Sequence, residues 1–146
     1  MTGRRRDVDD LRDEIQELFA DLWQVPRFSG IRNRFRPQLD CFRTDDPPEL
    51  HVVVELAGVS PEQVEVVVFG STLVVGGSRE RPGAPGARHH QMEIEYGRFR
   101  RRIELGIDVD PAGARANYER GMLTVVLPIA ERAPAGERVT IEVHRP

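Results

Sequence analysis

The sequence predicts an all-β fold, an immunoglobulin-like β-sandwich, preceded by a helical amino-terminal arm and followed by an extended carboxy-terminal tail. Three observations predict it. From Leu39 onward apolar residues alternate with polar ones in short runs, the period-two rhythm of strands buried on one face. Clusters of Gly, Pro, Asp and Ser separate those runs at the spacing of a sandwich. Upstream, between Val8 and Trp23, the apolar spacing is instead three and four, the mark of an amphipathic helix. A chain of 146 residues is expected to hold one domain with flanking segments. The expected division is an arm over 1–38, a sandwich over 39–129 and a tail over 130–146.

In the arm, Val8, Leu11, Ile15, Leu18, Phe19, Leu22 and Trp23 share one helical stripe. Asp9 or Asp10 can cap its start, and Pro26 ends it by biasing Val25 out of helical geometry. A helix this short is marginal in isolation because nucleation is unfavourable, so its stripe needs a covering surface. Leu11, Ile15, Leu18, Phe19, Leu22 and Trp23 are therefore candidates to meet another apolar surface. Packing onto the chain's own sandwich is the alternative. Residues 27–38 carry Phe28, Ile31 and Phe35 among arginines without a clean period, and read as a mobile arm.

The sandwich opens with a short strand, Leu39 to Arg43, and a turn at Asp45-Asp46-Pro47-Pro48. Leu50 to Ala57 alternates cleanly, and Ser60-Pro61-Glu62-Gln63 reads as a capped single helical turn. Val64 to Phe69 and Thr72 to Val75 flank Gly70-Ser71, whose glycine suits the first central position of a type II′ hairpin. Arg81 to Ala87 is a Pro/Gly loop leading to a short charged strand, Gln91 to Glu95, in which Met92 and Ile94 alternate with glutamates. Phe99 to Leu105 follows, then a loop from Gly106 to Gly113. Ala114 to Tyr118 and Met122 to Leu127 are joined by a turn at Arg120-Gly121, and Pro128 ends the sheet. About seven or eight strands in roughly ninety residues is the density of a sandwich.

The tail begins with Ala, Pro, Gly and charge, the composition of a linker. Val139-Thr140-Ile141-Glu142-Val143 then alternates aliphatic and polar residues with no hairpin partner beside it. Its expected use is strand addition to another sheet, with Val139, Ile141 and Val143 as the docking residues. A frayed tail without a partner is the alternative.

Composition excludes several function classes. Net charge is −3 and pI about 5.8, which supplies no basic field for nucleic acid or anionic lipid. All 21 basic residues are arginine, the side chain best suited to bidentate ionic contacts. Arg98, Arg100, Arg101 and Arg102 form a run, but strand alternation divides it between two faces, and no nucleic-acid partner is expected. Cys41 is the one cysteine, so no internal disulfide or thiolate metal cluster can form, as befits a reducing compartment. No apolar run reaches membrane-spanning length and no signal peptide opens the chain, so a cytoplasmic protein is expected. Phosphate loops, nucleophile elbows and zinc-type Cys/His spacing are missing, and His89-His90 lacks a second ligand pair. No cofactor, no metal and no catalytic residue is expected, and the protein reads as not an enzyme.

Several landmarks, in order, resemble the small heat-shock proteins of the α-crystallin family over residues 39–143. They are Glu55-Leu56-Ala57-Gly58-Val59, Gly70 with Leu73, and Tyr96-Gly97-Arg98-Phe99-Arg100-Arg101. The most specific lies within Ala116 to Pro128, where Ala116, Gly121 and Leu123 fit the family's Ala-x-x-x-x-Gly-x-Leu signature. Ile141-Glu142-Val143 is similar to its carboxy-terminal Ile-x-Ile/Val motif. The resemblance implies an α-crystallin sandwich that dimerises and assembles into a higher homo-oligomer. It also implies an ATP-independent holdase that binds unfolding proteins through exposed apolar surface. A monomeric adaptor of the CS-domain kind is the alternative.

The resemblance implies a dimer interface at Met92, Ile94, Tyr96, Phe99 and Arg101, with Gln91 to Glu95 exchanged between subunits. Alternation places Arg101 on the apolar face with Phe99, Ile103 and Leu105, where a guanidinium needs a carboxylate partner. An arginine snorkelling to solvent inside its own subunit is the alternative. Cys41 is expected to fill core or surface rather than to act as a nucleophile.

Overall fold

The structure, a computed structural model, describes residues 35–131 and 138–146. The expected helix with Leu11, Ile15, Leu18, Phe19, Leu22 and Trp23 lies outside the described residues.

The described chain forms two sheets facing each other. Its strands are β1 (Leu39–Asp45), β2 (Pro48–Glu55), β3 (Glu65–Phe69), β4 (Thr72–Arg79), β5 (Gly97–Glu104), β6 (Arg115–Glu119), β7 (Met122–Pro128), β8 (Arg138–Ile141) and β9 (Val143–His144). One sheet has the order β1-β2-β7-β6-β9 and the other β5-β4-β3-β8. Alternation dictates the packing. Val52 and Val54 of β2, Val66 of β3, Val75 of β4 and Leu123 and Leu127 of β7 are 0% exposed between the sheets. Each such aliphatic side chain contributes about 1.5–3 kcal/mol of gross burial free energy.

The hairpins follow their turn residues. Phe69 pairs with Thr72 across a two-residue loop in which Gly70 has φ 58° and no positive φ falls on Ser71, the type II′ pattern. In the β6–β7 hairpin Arg120 (φ 53°) and Gly121 (φ 77°) are both left-handed, the type I′ pattern.

Five expectations need correction. Ser60 precedes a 3-10 turn at Pro61–Gln63 but makes no side-chain cap; its carbonyl accepts from the Gln63 N–H at 2.9 Å instead. The 106–113 loop ends in a further 3-10 turn, Pro111–Gly113, whose Ala112 N–H donates to Asp110 Oδ1 at 3.0 Å. Residues 35–38, assigned to the arm, belong to the sandwich. Phe35 is 8% exposed, Pro37 is fully buried, and the Gln38 carbonyl accepts from the Glu55 N–H at 2.9 Å. Gln91 to Glu95 is not a strand in the single subunit and pairs with none of its sheet edges. The tail does find partners in its own subunit, at β3 and β6.

Candidate functional site

The candidate surfaces lie along two sides of the sandwich. On one side the sheet order leaves the edges of β3 and β6 open, and the tail fills both. β8 runs antiparallel to β3 with Ile141 opposite Val66 and Val139 opposite Val68. One residue later β9 runs parallel to β6 with Val143 opposite Ala116. Glu142 between them points the chain from one sheet to the other. Ile141 is 6% exposed, and Val143 is partly buried against the same core. Arg138 Nη2 adds an ion pair to Glu65 Oε1 at 3.3 Å, with both side chains partly exposed. The tail therefore pairs as added strands, with the sheets of its own subunit as acceptors where another sheet was expected. Its seat is apolar, two residues wide and held by two short strands.

The signature residues explain how that seat is built. Ala116 is 2% exposed and Leu123 0%, both facing the core. Gly121 combines a left-handed backbone with a close approach: a Cβ there would stand 3.0 Å from Ala57 Cα. Its carbonyl accepts from the Leu56 N–H at 2.7 Å, and the Tyr118 hydroxyl donates to the Leu56 carbonyl at 2.8 Å. The β6–β7 hairpin is thereby fixed to the end of β2, holding the β6 edge where β9 meets it.

The other side is open. Met92 and Ile94 are 58% and 62% exposed, on a segment without ladder partners. Large apolar side chains this exposed, alternating with glutamates, carry a strand's pattern but pair with no sheet edge. β1 supplies one such edge: it is an outer strand of its sheet, seven residues long and largely exposed.

The five residues assigned to a dimer interface do not stand together. Met92 and Ile94 project outward, whereas Phe99 is 5% exposed and meets the Phe35 ring edge-on, centroids 5.4 Å apart. Gly77 makes room for it, since a Cβ at Gly77 would lie 2.9 Å from the Phe99 ring. Arg101 does face inward, but its Nη1 donates to the Pro37 carbonyl at 2.6 Å rather than to a carboxylate. Burial, followed by the neighbouring Arg36 charge, holds its guanidinium below the usual range. Tyr96 sits half-buried between, with the Arg79 and Arg81 guanidinium carbons 5.6 and 4.5 Å from its ring centroid.

Sequence reasoning missed Arg79, Phe35 and Glu49. Glu49 is 7% exposed and pairs with Arg115 Nη2 at 3.0 Å and His51 Nε2 at 3.6 Å. No local pattern announces a pair so distant in sequence. Cys41 lies exposed on β1, and desolvation pushes its thiol up, against a nucleophilic role. His89 and His90 are exposed in the loop. Among the described residues no helix is long and apolar enough to cross a membrane.

Comparison with known proteins agrees with this fold. Residues 43–144 match the model of the Hsp20/alpha crystallin family. The chain is 36% identical over 134 residues to a 16.9 kDa class I heat shock protein of Triticum aestivum, covering 82% of this chain and 88% of the relative. Among solved structures, heat shock protein 16.0 from Schizosaccharomyces pombe superposes with a TM-score of 0.62 at 27% identity, over 74% of this chain and 99% of that one. A small heat-shock protein from Xylella fastidiosa, described as having a distinct high order structure, superposes with a TM-score of 0.57 at 26% identity. That match covers 70% of this chain and 94% of its counterpart.

Proposed function

Because the chain belongs to the Hsp20/alpha crystallin family and is a small heat-shock chaperone, we propose that it works as an ATP-independent holdase built from exchangeable strands. Members of this family are chaperones rather than enzymes. The observation that carries the reading is the seat of Ile141 and Val143 across the β3 and β6 edges.

Burying two aliphatic side chains is worth about 3–6 kcal/mol gross, and ordering the tail offsets much of it. Such a contact opens and closes. When it opens, the tail can enter the same seat on a neighbouring subunit, an exchange of identical elements that costs little per contact. Many weak tail contacts in one assembly raise its stability through effective concentration. The released seat, lined by Val66, Val68 and Ala116, is also an apolar strip that an unfolding client can occupy.

Dimerisation uses the other side. Residues 91–95, with Met92 and Ile94, add as a strand to the free edge of a partner's β1. The high order structure described for the Xylella relative supports assembly of this chain as well. The apolar residues Leu11, Ile15, Leu18, Phe19, Leu22 and Trp23 serve both assembly and client capture. A cytoplasmic location is the reading that the single Cys41 supports. A monomeric adaptor would leave Met92 and Ile94 without a use.

Heating an aggregation-prone model client with the purified chain and no ATP tests this function. Suppressed light scattering at near-equal mass is expected, and unchanged scattering would overturn the holdase reading.

A further inference from the structure

The guanidinium of Arg79, at the end of β4, joins three segments that are distant in sequence. It lies flat on the Phe35 ring, 3.6 Å from Cζ to centroid, so the segment entering β1 rests against it. Its Nε donates to the Glu95 carbonyl at 2.9 Å, and Nη2 donates to the same oxygen. Its Nη1 donates to the Ala57 carbonyl at 3.3 Å, in the loop after β2. Arg81, two residues on, covers the Tyr96 ring at 4.5 Å. Phe35 in turn meets Phe99 edge-on, so the platform under Arg79 is part of the core.

These contacts bracket the 80–96 loop. Arg79 stands where the loop leaves β4, and the peptide unit it holds, Glu95–Tyr96, stands where the loop returns to β5. Between these points the loop is exposed and makes no ladder bonds. A planar fork with donors on two sides can hold both carbonyls while stacking on a ring; an ammonium presents a point charge and cannot do all three.

We propose that Arg79 is a positioning residue that fixes the exit of the 80–96 loop, so that Met92 and Ile94 are carried away from their own sandwich toward a partner. Its use in dimerisation rests on the strand-exchange reading above. The clamp also ties the loop's exit to the segment at Phe35 that leads into β1, so a shift at either is felt at the other.

Hydrogen exchange of the full chain tests the clamp directly. In Arg79→Gln, and in Arg79→Lys should the first variant fold poorly, amide exchange at Gly97 and Arg98, which pair with Arg79 and Ser78 where the loop returns to β5, is expected to quicken about ten-fold, while β7 keeps its protection. Unchanged exchange at Gly97 and Arg98, or full rescue by lysine, would overturn the proposal. Dilution of the same variants reads its use. Dimer dissociation is expected to rise on the order of ten-fold, whereas a core control, Val54→Ala, lowers the melting midpoint without that rise. Equal weakening by Val54→Ala would reduce Arg79 to a stabilising contact and defeat the proposal. Met92→Ser with Ile94→Ser separates the two ideas: dimers unaffected by that pair defeat the strand-exchange reading, while the exchange result still judges the clamp.

Discussion

The two sides of the sandwich handle the same problem, an alternating strand that needs an edge, in opposite ways. At the tail, Val139, Ile141 and Val143 find β3 and β6 within reach, and the side chain of Ile141 is buried. At the loop, Met92 and Ile94 carry an equally good alternation but pair with no edge of their own subunit, and remain exposed. Pattern alone does not decide burial. What separates the two is whether the connecting chain brings the segment alongside an open edge, a property of the whole topology. The closed side accordingly contributes to the stability of the single subunit, and the open side is the one proposed for association.

The largest effect that would break this contrast is on the closed side. Ile141→Gly with Val143→Gly should lower unfolding free energy by about 2–4 kcal/mol and shrink the assembly, read by thermal melting and light scattering. An unchanged size and midpoint would show the seat to be idle. Arg101→Ala comes next. It removes the bond to the Pro37 carbonyl and should cost about 1–2 kcal/mol in denaturant unfolding, with the loss appearing in the isolated subunit rather than in dimer dissociation. Glu65→Ala removes the exposed pair with Arg138 and should cost roughly 0.2–1 kcal/mol, vanishing in high salt. The smallest stability effect belongs to the open side. Met92→Ser with Ile94→Ser should move subunit stability by less than about 0.5 kcal/mol while weakening dimers, and a large loss of stability would mean that the loop is already packed.

Much of the sandwich was legible in the sequence because its signals are local. Alternation located β2, β3 and β7, and Gly70-Ser71 and Arg120-Gly121 marked their hairpins. The missed 3-10 turn had a local signal too, Asp110 before Pro111, an N-cap ahead of proline at the first helical position. Other errors had none. Phe35 and Pro37 sit among arginines with no period, and only the tertiary fold brings the Phe99 ring and the Arg101 guanidinium to them. Arg79 holds carbonyls 16 and 22 residues away, which no window of sequence reveals. The tail's acceptor was misjudged because a search for a neighbouring hairpin partner overlooks edges left open by distant strands. The signature residues Ala116, Gly121 and Leu123 were found by resemblance, and the approach of Gly121 to Ala57 gives their spacing a physical reason.

The tail seat decides the proposed function, which needs a seam that exchanges between subunits. Asn117 and His144 face each other across β6 and β9. Isotopically heavy and light full chains carrying Asn117→Cys, His144→Cys and Cys41→Ser can therefore be mixed, oxidised and weighed. Disulfide-linked heavy–light hybrids at high concentration, giving way to internal disulfides on dilution, are the expected result. Internal disulfides alone at every concentration would show a tail that never leaves its own subunit, and would contradict the account.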